Sequence, residues 1–475
     1  MAANGTIVTN DAAGAEDAAG GLPRDGRIGV FKRIGRNVGW LLGGRGFAGV
    51  VSLAYLAIAA RAMGPDRFGS FTLILTYGQL IANLVQFQSW KGVIRFGALH
   101  LAEDRPDRLA RLTGFTATLD LASALIGAAL AVVGVHLAAP LLHWSAQEQN
   151  RAALFGAVLL LSTGATATGM LRLFDRFDLL TLTEAVAPLV RLVGAIGVWA
   201  LGGGVVAFLT VWAIAALAQA IAGWAAVIAI HGSRLSFGRS AFAGAVAENR
   251  KLWRFMLQTN LSNSLSLFWL QTGTLAVGAV AGPAAAGGFR IADRLAKGIA
   301  KPVETITRAL YPELARLVAS NDRATLIAVF KRITWIAASL ALVLVVIAGV
   351  GGSLILSLIA GRQFAFAHVY LFLLAIAAAI DLSGFALEPF HNAHGRAGRV
   401  LRSRAVGAGV YALLLAVLLP TVGAIGAAIA AIVTSLVIFV QLALSARQLL
   451  GRPLESGTPD EIAVASLESG VDSQP

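Results

Sequence analysis

The sequence predicts an all-α membrane protein, a polytopic bundle of about twelve transmembrane helices, and three observations carry that prediction. Of its 475 residues, 57% are apolar and only 13% are charged, whereas a soluble domain carries about 25% charged residues. Apolar runs close to the roughly 20 residues that one span requires recur from residue 38 to residue 446. The basic residues fall mostly in the short segments between those runs, and consistently on one side.

Taken in order, the apolar runs place spans near 38–60, 68–88, 112–138, 152–171, 179–200 and 205–230. A second set follows near 254–280, 284–312, 326–358, 366–388, 401–420 and 422–446. Residues 1–30 are rich in Ala, Gly and Asp with no apolar stretch behind a basic start, so they read as a disordered cytoplasmic tail and not as a cleaved signal peptide. Residues 31–232 form an N-lobe of six spans, 233–253 a cytoplasmic linker, and 254–450 a C-lobe of six spans. The stretch 451–475 carries Glu455, Asp460, Glu461, Glu468 and Asp472 among Ser, Gly and Pro, which reads as an acidic disordered tail.

Orientation follows from charge. The segments from Arg24–Arg36 through Arg447–Arg452 that share one face hold 27 of the 38 Lys and Arg residues, and the other face holds only Arg61, Arg67, Arg151 and Arg362. A miscounted span would invert the bias in every later loop. The consistent bias therefore predicts an even number of spans with both ends cytoplasmic, in a bacterial inner membrane.

Composition also excludes. The formal charge of +13 is scattered over separate loops, not gathered on one contiguous face, so nucleic acid is not an expected partner. The chain has no Cys, which removes disulfides, thiolate zinc sites, iron–sulfur clusters and a Cys nucleophile. It has no phosphate-binding glycine loop, metal-ligand cluster or nucleophile with a base at usable spacing, so no enzyme activity and no cofactor are expected.

The halves are related by an offset of 218 residues. Gly64, Pro65, Gly69 and Phe71 map onto Gly282, Pro283, Gly287 and Phe289, and Lys32 and Arg36 onto Arg250 and Arg254. The shared unit is a span, a tight Gly-Pro turn and a second span, as in transporters built from two parallel repeats.

Seven basic residues remain inside the spans: Arg45, Arg191, Arg290, Arg294, Lys297, Lys301 and Arg308. Each would cost about 2.5–3.5 kcal/mol at the bilayer centre, so each should face protein, water or a ligand. At 100° per residue, Arg290, Arg294, Lys297, Lys301 and Arg308 share one stripe about 60° wide on the eighth span. Asp293 and Glu304 flank it and can pair at i, i+4 with Lys297 and Arg308. The stripe reads as the wall of an aqueous cavity; an amphipathic helix lying on the membrane surface is the bland alternative.

Through the same offset, Arg290, Arg294, Lys297, Lys301 and Glu304 correspond to Thr72, Thr76, Gln79, Asn83 and Gln86 of the second span. A hydroxyl-binding stripe thus opposes an anion-binding one. Asn260, Asn263, Ser264 and Gln271 cluster on one arc of the seventh span and could line the cavity or bond between helices. Arg45, well inside the first span, is assigned to the cavity. Glu184 and Arg191 face the same way and could form a buried pair, or Glu184 could be a proton-coupling carboxylate, with Glu184, Arg191 and Asp293 as the candidate ion-coupling set. Asp120 and Asp381 are lone carboxylates for which a satisfied structural role is at least as good a reading, and His391 and His394 read as loop residues.

The segment Ala60-Arg61-Ala62-Met63-Gly64-Pro65-Asp66-Arg67-Phe68-Gly69, followed by Phe71, resembles the first external turn of Wzx-type O-antigen and exopolysaccharide flippases. Trp90-Lys91-Gly92-Val93-Ile94-Arg95-Phe96 is similar to the segment that follows the second span in that polysaccharide transporter family, within the MATE-like multidrug/oligosaccharidyl-lipid/polysaccharide superfamily. The resemblance implies two six-helix lobes forming a V, alternating access, and movement of undecaprenyl-diphosphate-linked oligosaccharide toward the periplasmic leaflet. It also implies a polymerase and co-polymerase of the same pathway as candidate partners. The chain lacks the two further spans of related lipid II flippases. On this reading Arg290, Arg294, Lys297, Lys301 and Arg45 meet diphosphate and acidic sugars, while Thr72, Thr76, Gln79, Asn83 and Asn260 meet the substrate's polar groups. A cation-coupled multidrug exporter would need a cavity of the opposite charge, and a membrane glycosyltransferase or polymerase would need larger external loops.

Overall fold

Within hydrocarbon every backbone N–H and C=O must be satisfied internally, and an apolar run does this within one segment by becoming an α-helix. The computed structural model is helical in that way, with no strand among the described residues. It describes residues 24–231, 236, 239–319, 323–394 and 396–451; at 24–42, 44–45, 231, 239–241, 261–270, 299–319, 323–324, 326, 393, 397 and 450 the backbone alone is described. The helices in order are α1 (Arg24–Val85), α2 (Ser89–Ala102), α3 (Pro106–Leu142), α4 (Ala146–Leu161), α5 (Ala165–Leu173), α6 (Phe177–Ala200) and α7 (Val205–His231). Then come α8 (Arg239–Glu248), α9 (Leu252–Ala319), α10 (Arg323–Ile359), a 3-10 turn (Arg362–Ala367), α11 (His368–Ser383), α12 (Leu387–Ala393), α13 (Ala397–Val422) and α14 (Ala424–Gly451).

Two of these helices are too long for one span, α1 with 62 residues and α9 with 68. Each is broken at one glycine, Gly64 at φ 72°, ψ 173° and Gly282 at φ 83°, ψ 175°. Only glycine takes that backbone without strain, and the proline that follows starts a new helix because its missing N–H is not needed in a first turn. Among the described residues ten stretches are long and apolar enough to cross a membrane, and 46–102 and 271–298 each run across one of these kinks. Divided there, α1 and α9 supply two arms each, and the twelve expected spans are present.

The repeat extends through all six spans of each half, with the offset growing from 218 residues to 221–222 after the third span. The helices α3 and α10 both have 37 residues and are followed by positive-φ residues, His143 and Gly361. The fourth span is broken in both halves, at 162–164 between α4 and α5 and at 384–386 between α11 and α12. The fifth and sixth spans join at Gly202 (φ 68°) in one half and Gly423 (φ 67°) in the other. The halves differ after the second arm: α1 stops at Val85 and α2 sets off anew, whereas α9 continues to Ala319.

Asp120 explains one of the breaks. Its Oδ2 accepts from the Thr166 backbone N–H at 2.9 Å and the Thr166 hydroxyl at 2.7 Å, and its Oδ1 from the Ser89 hydroxyl. A buried carboxylate thus caps a free N–H at the start of α5 and takes two hydroxyl hydrogen bonds, which supports the structural reading of Asp120. Asp120→Ala leaves three buried donors without an acceptor, at about 1–3 kcal/mol each. The purified variant is expected to unfold at clearly lower temperature, and Asp120→Asn, which keeps one acceptor oxygen, to lose less.

Backbone of α1 is helical from Arg24, so the end of the expected N-terminal tail belongs to a helix; residues 1–23 and 452–475 lie outside the described residues. The expected 233–253 linker contains α8. Arg111 of α3 makes a two-pronged ion pair with Glu248, and His100 meets Asn249 at 2.9 Å. The base of α9 packs on the same face, with Leu252 and Met256 against Phe96, Leu112 and Phe115.

One apolar core crosses both halves at the Gly-Pro end, joining Tyr55, Phe68 and Phe71 to Phe289, Phe364 and Leu371. Phe68 meets Phe364 edge-on at 5.6 Å, and Arg61 donates to the Leu358 carbonyl at the end of α10. At the opposite, basic end the cores are separate, one around Val93, Met170 and Leu180 and another around Leu387, Phe390 and Leu442. The halves are therefore joined at the Gly-Pro end and diverge toward the basic end, apart from the docked base of α9.

Candidate functional site

The second arms of α1 and α9 lie against each other at the seam between the halves. Small residues permit the approach: Gly69 sits on the Pro283–Ala284 backbone, and a Cβ built on Gly287 would come within 3.2 Å of the Gly69 backbone. Away from that contact the polar stripe of α1 meets the cationic stripe of α9. Arg290 Nη2 donates to Gln79 Oε1 at 3.2 Å, and its Nη1 donates to Gln271 Oε1 at the same distance. The facing of stripes expected from the repeat is thus made through a bond 211 residues apart in sequence.

Depth decides which members of the stripes are accessible. Thr72 and Thr76 are 2% and 0% exposed, and the Thr76 hydroxyl donates to the Thr72 carbonyl at 2.7 Å. They are enclosed at the sealed end, so their hydroxyls are not free for a ligand in this conformation. Gln79 and Asn83, one and two turns on, are partly exposed, as are Arg290 and Arg294. Lys297 is half exposed and pairs with Asp293 at 2.6 Å, the i, i+4 bond that the spacing predicts. Exposure rises along both arms toward the basic end, as the wall of a wedge open on that side requires.

Asn260 is partly exposed, and its Oδ1 is buried with no partner among the described residues. The side chains of Arg45, Lys301, Glu304, Arg308, Asn263 and Ser264 lie outside the described residues. Asp381 on α11 is exposed and lies within electrostatic reach of Lys297 and Arg404. His391 does not sit in a loop as expected but is fully buried on α12, its Nδ1 within 2.8 Å of the Leu387 carbonyl, whereas His394 lies in the turn that directly follows the helix.

The expected Glu184–Arg191 pair is not formed. The residues share a face of α6 but stand two turns apart, a rise of about 10.5 Å. Glu184 instead faces Arg172 of α5 at 3.8 Å. The Arg191 guanidinium carbon lies over the Trp212 ring of α7, 3.3 Å from its centroid. The Trp212 indole N–H donates to the Tyr55 hydroxyl at 2.6 Å. Tyr55 and Trp212 escape sequence reasoning because an aromatic residue in an apolar span carries no signal of its neighbours. Gln271 stands out in the sequence as polar, but only its contact with Arg290 ties it to the seam.

Among the described residues the seam therefore gathers Arg191, Arg290, Arg294 and Lys297 against Asp293 and Asp381, a net positive wall with neutral amides opposite. Such a wall binds anions and hydrogen-bonds hydroxyls. No group of three or more His, Asp or Glu suited to a metal ion occurs among the described residues.

The profile of the family described as Polysaccharide biosynthesis protein matches residues 34–318, more than half of the chain. The inner membrane protein YghQ of Escherichia coli (strain K12) is 28% identical over 309 residues, which are 63% of this chain and 85% of YghQ. The fold is similar to that of a multidrug resistance MATE family transporter of the MOP superfamily in an inward-facing conformation, with TM-score 0.66 and 14% identity over 85% of this chain and 95% of that one. It is also similar to lipid II flippase MurJ in an inward closed conformation, with TM-score 0.63 and 13% identity over 86% of this chain and 87% of that one.

Proposed function

From the premise that the chain belongs to the polysaccharide biosynthesis protein family, we propose that it is a flippase for undecaprenyl-diphosphate-linked oligosaccharide, serving surface polysaccharide synthesis. The observation that carries the reading is the seam itself, where a cationic arm and an amide-lined arm face each other through Arg290 and Gln79 in a wedge closed at one end. A lipid-linked oligosaccharide has the matching chemistry, a diphosphate beside sugar hydroxyls. Arg290, Arg294 and Lys297 hold the diphosphate, with Arg45 and Lys301 as further contacts, while Gln79, Asn83 and Asn260 take sugar hydroxyls. Thr72 and Thr76 join them only in a state with the Gly-Pro end open. The basic end is the cytoplasmic one, and both termini lie there, because Lys and Arg are retained on that side. A polymerase and co-polymerase receive the product.

The test is surface polysaccharide in a deletion strain carrying Lys297→Ala or Arg294→Ala. Loss of polysaccharide with normal protein in the membrane, and lipid-linked repeat units accumulating on the cytoplasmic leaflet, is the expected result. Wild-type polysaccharide from both variants would overturn it.

A further inference from the structure

The cluster behind Arg191 has an imbalance that the fold does not require. Arg191 is stacked on Trp212, and its Nε is buried with no acceptor among the described residues. Tyr55 uses its hydroxyl oxygen to accept from Trp212, which leaves the hydroxyl proton to donate. Arg191 and Arg294 both act electrostatically on Tyr55 and on each other, so the three groups share one neighbourhood across the two halves. Glu184 is turned to Arg172 and Asp293 is bonded to Lys297. Among the described residues, three donors, two of them cationic, therefore share one neighbourhood with no hydrogen-bond acceptor of their own, and a buried charge without such a partner is costly until an anion joins it. Arg191 and Arg294 are partly exposed, which gives the cluster a mouth.

The other half serves as a control. Through the repeat, Tyr55 corresponds to Gly273, and a Cβ there would meet the Tyr411 hydroxyl at 2.3 Å. Tyr411 comes from α13, the counterpart of α6, within one residue of the place matching Arg191. A neutral tyrosine thus fills in the second half the space that a stacked arginine occupies in the first. The architecture is satisfied without a cation there, so the guanidinium is surplus to folding.

We infer that Arg191 and Tyr55, backed by Trp212, form a second subsite for an oxyanion that adjoins the Arg290–Lys297 contacts and shares Arg294 with them. The inference rests on the flippase reading for its ligand. The oxyanion is a phosphate of the carrier or the carboxylate of an acidic sugar. The indole face holds the guanidinium by a cation–π contact, and the guanidinium's N–H donors match a planar or tetrahedral oxyanion.

The experiment is calorimetric titration of the purified, membrane-reconstituted protein with inorganic diphosphate and, separately, with galacturonate, following Trp212 fluorescence against a Trp212→Phe reference. Arg191→Gln and Tyr55→Phe are each expected to weaken one probe by about tenfold or more, and Arg191→Lys to give little recovery because an ammonium cannot reproduce the stacked fork. Weaker diphosphate binding assigns the subsite to the carrier; weaker galacturonate binding assigns it to the sugar. Unchanged binding of both probes in Arg191→Gln and Tyr55→Phe overturns the subsite, as does a wild-type protein that binds neither probe. The flippase reading is judged apart from this, by the polysaccharide phenotype of Lys297→Ala, so the two can fail independently. An Arg191→Gln protein that no longer elutes as a folded species is replaced by Tyr55→Phe, which removes only the hydroxyl.

Discussion

Gly69→Leu is expected to abolish surface polysaccharide while the protein still inserts into the membrane. A Cβ on residue 69 would stand 1.9 Å from the Pro283 carbonyl oxygen and 2.2 Å from its carbon. These are backbone atoms of the opposite half, on the turn that Gly282 and Pro283 build, and they cannot be moved aside by a rotamer change. Relief requires separating the two arms where they seal the Gly-Pro end. Overpacking of this kind costs about 1–3 kcal/mol, and where the strained contact exists in only one conformation that energy shifts the balance toward the other. A shift of about 1.4 kcal/mol is already tenfold in population. Gly69→Ala should therefore retain partial transport, with a cysteine placed at the Gly-Pro end becoming more reactive to a water-soluble maleimide. Gly46→Ala, at a position with nothing within 4 Å, is the matched control and should behave as wild type. Full transport by Gly69→Leu would show that the two turns do not need to touch.

Arg290→Ala should be the most damaging single change within the stripes. Arg290 bonds Gln79 of one half and Gln271 of its own, so its removal takes a cation from the wall and a tie from the seam together. Loss of transport to background is expected, as for Lys297→Ala, but with an added structural signature. Gln79→Ala and Arg290→Ala share the same bond, so their effects on thermal stability should be non-additive, by about 0.5–3 kcal/mol. Lys297→Ala and Gln79→Ala share no bond and should add. Additive effects for the Arg290 and Gln79 pair would remove the cross-half bond from the account.

What could be read in the sequence depended on the range of the interaction. The spans were legible because burial in hydrocarbon imposes length and polarity on each segment separately. Gly64-Pro65 and Gly282-Pro283 were legible because a positive φ before a helix start needs those residue types wherever it occurs. The i, i+4 bond between Asp293 and Lys297 needed only the helix. The repeat was visible in sequence over its first two spans only; later helices keep matching lengths, breaks and glycine turns while their side chains have diverged.

Depth and cross-helix partners were not legible. Thr72 and Gln79 share one face, yet the first is sealed under the Gly-Pro contact and the second opens to the wedge, because the halves touch at one end only. Glu184 and Arg191 also share a face, but their neighbours, Arg172 and Trp212, come from helices whose approach no local pattern encodes. The sequence by itself determined twelve spans, their kinks and a cationic face, since each is set by how one segment meets lipid, water or its own backbone. Only the tertiary structure decided which end is sealed, that Arg290 bridges the halves, and that Arg191 rests on an indole instead of a carboxylate. Those outcomes depend on packing between residues far apart in the chain, where a single methyl group at Gly69 would be enough to forbid the contact.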